Sequence, residues 1–210
     1  VKKLICFVLF SVAVCSCNNH APESGNPPKQ STLKDSPALK KDTTKAIAAK
    51  SDTTPLPPEH YTRQGPEIGF DLCDSERVGD LHIGMTKEQV IKLLGQPESK
   101  SDTMRAGADG LLYQQWEYKK QGISLAMGGD DLSNLAIRDL TVFAPCTFKT
   151  RRRIGIGSTV KDISTAYKKA MRISSEKISG MIILGSAYGG IQFTINKDKV
   201  DTLFIGASAE

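Results

Sequence analysis

The stretch "IGMTKEQVIKLLGQP", residues 83 to 97, carries apolar residues at 90, 93 and 94, the spacing of one face of a helix. Thr86 has the character of an N-cap. Gln89, three residues on, completes a capping box, and Met85 and Val90 are placed to clamp it from outside as a hydrophobic staple. Gly95 and Pro97 end the helix. The same build returns in "IGSTVKDISTAYKK" from Ile156. There Thr159 is the cap, Asp162 favours the positive end of the helix, and Ile163 answers Val90. The two caps lie 73 residues apart, and so do Cys73 and Cys146, which predicts one unit laid down twice.

Each helix is followed by strand-like runs rich in aliphatic and aromatic residues and separated by Gly or charged turns. In the first copy these are residues 111–118, 122–127 and 135–143; in the second, 180–188, 191–196 and 199–206. The pattern predicts an α+β fold of two tandem repeats, residues 67–147 and 148–210. Each is a helical segment followed by a three-stranded antiparallel meander, with the helices on one face of the sheet. Residues 95–111 leave room for a loop or a second short helix.

The pieces Gly84-Met85-Thr86, the helix from Lys87 to Leu94, the stop Gly95-x-Pro97 and the strand Trp116-Glu117-Tyr118 resemble the small outer-membrane lipoprotein domain called SmpA/OmlA or BamE. The tandem form is similar to β-lactamase inhibitory protein. The resemblance covers most of residues 81–143 and extends loosely to the second copy, which lacks the Gly-x-Pro stop and the Trp. It implies noncatalytic work: supporting an outer-membrane assembly machine, or capping another protein's active site.

Ahead of this head, Lys2 and Lys3 precede an apolar run from Leu4 to Val14, too short for the roughly 20 residues of a membrane-spanning helix but typical of an export signal. The end of that run, "VCSC", resembles a bacterial lipoprotein cleavage box, which implies a signal peptide over 1–16 and a lipidated Cys17. Asn18 after the cysteine, where Asp would suggest inner-membrane retention, leans toward the outer membrane. Residues 17–66 are rich in Pro, Ser, Thr and Lys and poor in large apolar side chains, so they read as a flexible tether, with an end-to-end distance of about 40 Å. Two Asp-Thr-Thr triplets in it, Asp42 to Thr44 and Asp52 to Thr54, resemble bacterial O-glycosylation sites.

Charge narrows the function. Loss of residues 1–16 removes two of the 28 basic residues, leaving a small excess over the 23 acidic ones. A nucleic-acid binder needs a concentrated positive face, so nucleic acid is not an expected partner. In an oxidising compartment Cys73 and Cys146 either form a disulfide, closing a loop of about 74 residues for up to ~4 kcal/mol, or are two separately buried thiols. His82 has no Cys or His companion at ligand spacing, so no metal is expected. "GIGST" at Gly155 lacks the Lys of a phosphate loop, "GGDDL" at Gly128 reads as a turn, and Ser174-x-x-Lys177 has no second catalytic motif beside it.

Two features remain as candidate partner contacts. Arg151, Arg152 and Arg153 form the densest charge run, either a solvated strand edge or a contact for an acidic partner or lipid head group. Trp116, the only tryptophan, is either core or a binding anchor on the sheet. The expectation is a noncatalytic, membrane-anchored envelope lipoprotein that binds a protein and takes no cofactor or small-molecule substrate. The alternative is an inhibitor of a secreted or envelope hydrolase, inserting a loop such as Met104 to Asp109.

Overall fold

Both capping boxes form. Thr86 Oγ1 accepts from Gln89 N while Gln89 Oε1 accepts from Thr86 N at 2.9 Å, and Thr159 and Asp162 make the same reciprocal pair. They start helices α2 (Lys87–Leu94) and α3 (Val160–Ala166), which follow a helix the alternation did not predict, α1 (Ile68–Ser75). The second helical segment is broken at Tyr167 and resumes as α4 (Lys168–Ile173). The computed structural model describes residues 58–107 and 109–209, which lie within one compact unit. The export signal, Cys17, both Asp-Thr-Thr triplets and most of the tether lie outside the described residues. Among the described residues no helix is long and apolar enough to cross a membrane.

The expected strands are present as β3 (Leu112–Tyr118), β4 (Ile123–Gly129), β5 (Ala136–Phe143), β7 (Met181–Ser186), β8 (Gly189–Asn196) and β9 (Lys199–Gly206). Three short ones join them: β1 (Ser99–Lys100) and β2 (Met104–Arg105) occupy the stretch expected to be a loop or helix, and β6 (Ser175–Ile178) lies ahead of β7. Every residue in the three is exposed, which is why alternation gives them no signal. The nine strands form one antiparallel sheet in the order β1-β3-β4-β5-β9-β8-β7-β6, with β2 also on β3. Its midline is the pairing of β5 with β9, Leu140 opposite Ile205 and Val142 opposite Leu203. The β8–β9 hairpin turns through Lys197 and Asp198, both at positive φ (48° and 63°), the geometry a right-twisted two-residue turn requires.

Because alternate strand residues share a face, Trp116, Tyr118, Leu125, Leu140, Val142, Leu203, Phe193 and Leu184 line one side. Val90 and Leu94 of α2, Ile163 of α3, Tyr167 and Ala170 of α4 and Ile68 and Leu72 of α1 join them in one continuous core. Tyr167 packs on Phe193 with ring centroids 5.9 Å apart. Helix α1 lies against β7 and β8 rather than against the strands that follow it in sequence. Gly69 makes this possible: a Cβ there would stand 1.7 Å from Gly189 O.

The head also starts earlier than composition suggested. Glu59 accepts from Lys169 N and Ala170 N at the start of α4, at 3.0 and 2.9 Å, satisfying donors a helix leaves orphaned. Asp71 accepts from Thr62 N, Thr62 Oγ1, Arg63 N and Arg63 Nη1, all within 2.9 Å. Residues 59–63, placed with the tether by their polarity, are thus fastened to both α1 and α4.

Candidate functional site

The opposite face of the sheet carries the other half of the alternation: Gln115, Glu117, Ser124, Ala126, Thr141, Phe143, Thr202, Phe204 and Gln192, all half-buried. Its polar members are organised. Gln115 Nε2 donates to Ser124 Oγ, which donates to Glu117 Oε1, each at 2.7 Å. Half-burial of Phe143 and Phe204 beside Thr141 and Thr202 leaves aromatic and methyl surface in reach of a partner.

At one end of the sheet lies a groove of about 430 Å³, lined by Phe70, Tyr113, Arg138, Asp139, Tyr188 and Gly206 among others. Phe70 and Tyr188 are 42% and 66% exposed, large for aromatic side chains. The Arg63 guanidinium stands 5.5 Å over the Phe70 ring. Tyr113 donates to Asp109 at 2.7 Å, and burial followed by that bond pushes its phenol up to about 12. Asp109 also accepts from Leu111 N at 2.9 Å, and Arg105 Nη1 donates to Gly110 O, so the turn bordering the groove is held from several sides. Met104, at its start, is 69% exposed.

The two candidate partner contacts take different places in the fold. Trp116 is core, 1% exposed, with its Nε1 donating to Gln114 Oε1 at 2.7 Å and the Lys100 ammonium 4.2 Å over its ring. It faces the helices, so it is no anchor on the uncovered side. The arginine run splits. Lys149 bridges to Gly155, putting the three residues at the tip of a tight turn in which Arg153 takes a positive φ (64°) and its N–H bonds Thr150 O. Arg151 is exposed and donates to Ser75 O at 3.1 Å. Arg152 points inward.

Arg152 belongs to a buried polar cluster. Its Nε lies 3.4 Å from Glu76 Oε1, with side chains only 10% and 4% exposed, and its guanidinium sits 5.6 Å over the Tyr167 ring. Tyr167 donates to Glu76 Oε2 at 3.2 Å. Burial pushes the Glu76 carboxyl up, and Arg152 works against that rise. The Tyr167 phenol is driven well above its ordinary value by burial and then by Glu76. A sealed cluster of this kind fixes α1 to the α3–α4 break and offers no surface to a substrate. Sequence spacing gave no sign of it, because Glu76 is far from Arg152 along the chain.

The cysteines resolve to the second alternative, two free thiols, both buried. Cys73 Sγ lies on α1, 3.7 Å from Gly190 O and 4.0 Å from Gly206 O, and burial pushes its thiol up to about 11. Cys146 follows the far end of β5, its N–H bonded to Phe143 O. Gly206 lies beside Asp139 in the middle of β5, and the four residues from there to Phe143 span about 13 Å, which sets the two thiols well apart. A disulfide needs Cα atoms within about 7 Å.

His82 is half-buried with Nδ1 2.8 Å from Ile83 O, and among the described residues no group of three or more His, Cys, Asp or Glu is arranged to hold a metal. Ser174 Oγ bonds Gly185 O, while Lys177 stands exposed on β6. "GGDDL" ends β4 and enters a turn in which Asp131 accepts from Ser133 N. No curated protein and no solved structure matches the chain. One family does match in part: residues 71–119, from within α1 through β3, fit the outer membrane protein assembly factor BamE domain.

Proposed function

We propose that this chain is a noncatalytic envelope lipoprotein that supports outer-membrane assembly by holding a protein partner on the uncovered face of its sheet. The match of residues 71–119 to an outer-membrane assembly factor domain carries the reading. The half-buried Thr, Gln and Phe residues of that face support it, as do Phe70 and Tyr188, exposed in the groove at the end of the sheet, since aromatic anchors beside polar groups are how protein interfaces concentrate affinity. In this reading Cys17 carries the lipid, the residues after it are a leash, and α2 with β3–β5 and α3–α4 with β7–β9 are two copies of one unit. The twin capping boxes and the meeting of the two last strands at the midline support that duplication.

The test is site-specific photocrosslinking of the full-length protein in its membrane. A probe at Thr141 or Thr202 should give a discrete adduct with an outer-membrane assembly component, whereas one at exposed Lys168 on α4 should not. Absence of an adduct from the sheet face would refute the reading. An adduct with a hydrolase instead, together with loss of that hydrolase's activity, would favour the inhibitor reading, which rests on the braced turn at 104–110 and its exposed Met104.

A further inference from the structure

The two edges of the sheet are built differently. On one side β1 and β2 are two-residue pieces parted by residues 101–103, and the Lys100 ammonium is drawn over the Trp116 ring. On the other, β6 runs unbroken through Ser175, Glu176, Lys177 and Ile178 in regular antiparallel register with β7. Gly185 N donates to Ser174 O at 3.1 Å, and in an antiparallel ladder such bonds recur at every second residue, so the main-chain groups of Ser174, Glu176 and Ile178 face β7. The N–H and C=O groups of Ser175 and Lys177 therefore point the other way, where no described strand stands. Ser175 Oγ donates to Met171 O of α4 at 2.8 Å, which puts the Ser175 and Lys177 side chains on the helical side. Glu176 belongs to the uncovered face, at the end of a cross-strand row through Ile183, Gln192, Phe204 and Thr141. Ile178, next along on that face, is 52% exposed. Among the described residues neither Glu176 nor Lys177 has an ion-pair partner.

We propose that β6 is an open edge that takes up an extended segment of the partner protein as a further antiparallel strand, with an acidic residue opposite Lys177, a basic one opposite Glu176 and an apolar one opposite Ile178. This rests on the partner-binding reading above and deepens it, because Glu176 and Ile178 continue the uncovered face to this edge. Sheet edges are commonly kept from pairing by a bulge, a proline or an unmatched lysine. β6 has no bulge and no proline, and Lys177 is offset by Glu176 beside it. A second copy of this chain fits poorly. Because facing side chains share a side of the sheet, a two-fold axis pairs only residues whose numbers sum to an even value. The two such registers that overlap most of β6 set Glu176 against its own counterpart or Lys177 against its own, and like charges directly opposite are destabilising. A strand of different sequence meets neither conflict. Toward the new strand Glu176 occupies a non-hydrogen-bonded position, where side chains come closest, so the basic residue facing it contributes most.

The experiment adds a fluorescent peptide, Val-Glu-Lys flanked by threonines, to the full-length protein in a zwitterionic detergent, reading anisotropy and amide hydrogen exchange along β6. That order runs antiparallel, opposite Ile178, Lys177 and Glu176 in turn. In the free protein the Glu176 and Ile178 amides should exchange slowly and those of Ser175 and Lys177 fast. Bound peptide should slow Ser175 and Lys177 by about tenfold or more. The charge-exchanged peptide, with Val-Lys-Glu at its centre, should bind about fivefold more weakly, and Glu176→Lys/Lys177→Glu should invert that preference, which a folding defect would not do. Absence of binding, binding that leaves Ser175 and Lys177 exchanging as before, or the same preference in the parent and the exchanged variant would overturn the proposal. So would slowing of those two amides with protein concentration alone, which would assign the edge to a second copy. Because no partner is needed, failure here leaves the sheet-face reading standing. Peptide binding with no sheet-face adduct would strike that reading instead.

Discussion

Replacing Gly69 with alanine sets two effects against each other. In an isolated helix the change is favourable by ~1 kcal/mol, since glycine loses more backbone freedom on folding. Here the new Cβ would stand 1.7 Å from Gly189 O, 2.6 Å from Gly189 C and 3.2 Å from Gly185 Cα, all main-chain atoms of the β7–β8 hairpin. No side chain can rotate out of the way. Restoring contact distances of roughly 3.5 Å requires α1 to lift by about 2 Å. That shift loosens Ile68, Leu72 and Cys73, which are buried along the same helix. Overpacking of this kind costs ~3 kcal/mol at the upper end of its usual range. After the propensity gain a net loss of about 2 kcal/mol remains, or ~4–8 °C in Tm. Urea denaturation of Gly69→Ala beside Gly107→Ala, whose Cβ would meet nothing within 4 Å, isolates the effect. A Gly69→Ala protein as stable as the parent, or more so, would refute the seating of α1 on the hairpin.

Arg152→Ala leaves Glu76 buried without its ion-pair partner and should cost ~3–5 kcal/mol by urea denaturation. The loss should deepen as pH rises, because a carboxyl whose folded pKa is raised stabilises least when ionised; Arg151→Ala, at an exposed side chain, should cost ~0.5 kcal/mol or less. At Asp71 burial works to raise the pKa, but the bonds from Arg63 and Thr62 outweigh it and the net shift is downward. Its contribution is therefore present above the ordinary carboxylate range and lost as pH falls through the lowered value. Relative to Asp71→Asn, the parent should lose stability on acidification from about pH 5, with faster amide exchange at Thr62 and Arg63. Thr86→Ala and Thr159→Ala should each cost ~1 kcal/mol, measured as loss of helical circular dichroism and of urea midpoint.

What was legible in the sequence was whatever a local rule controls. Thr86 and Thr159 announce their helices because a cap acts within four residues, and β3 to β5 and β7 to β9 announce themselves because one buried face imposes alternation. Ile68, Leu72 and Cys73, spaced as one helix face, would have revealed α1. Strands β1, β2 and β6 bury nothing, so no pattern marks them. Two placements lay beyond any local rule: burial of Arg152 depends on Glu76, and the separation of Cys73 from Cys146 depends on which hairpin α1 packs against. Both are decided by contacts between distant segments. Likewise, only the register tells which face of the sheet Trp116 occupies.

The pairing of β5 with β9 bears on how the chain can mature. A strand formed by residues 136–143 finds its second neighbour only when residues 199–206 have arrived, and α1 waits as long for the hairpin it sits on. During passage across a membrane from the N-terminus, the first three long strands would emerge with an open edge and a helix without its seat. Closing such sequence-distant contacts is slow, and unpaired edges invite aggregation. If the chain is exported as proposed, the head must be kept apart from its neighbours until its last strand is delivered, a demand that a holding chaperone in the receiving compartment would meet.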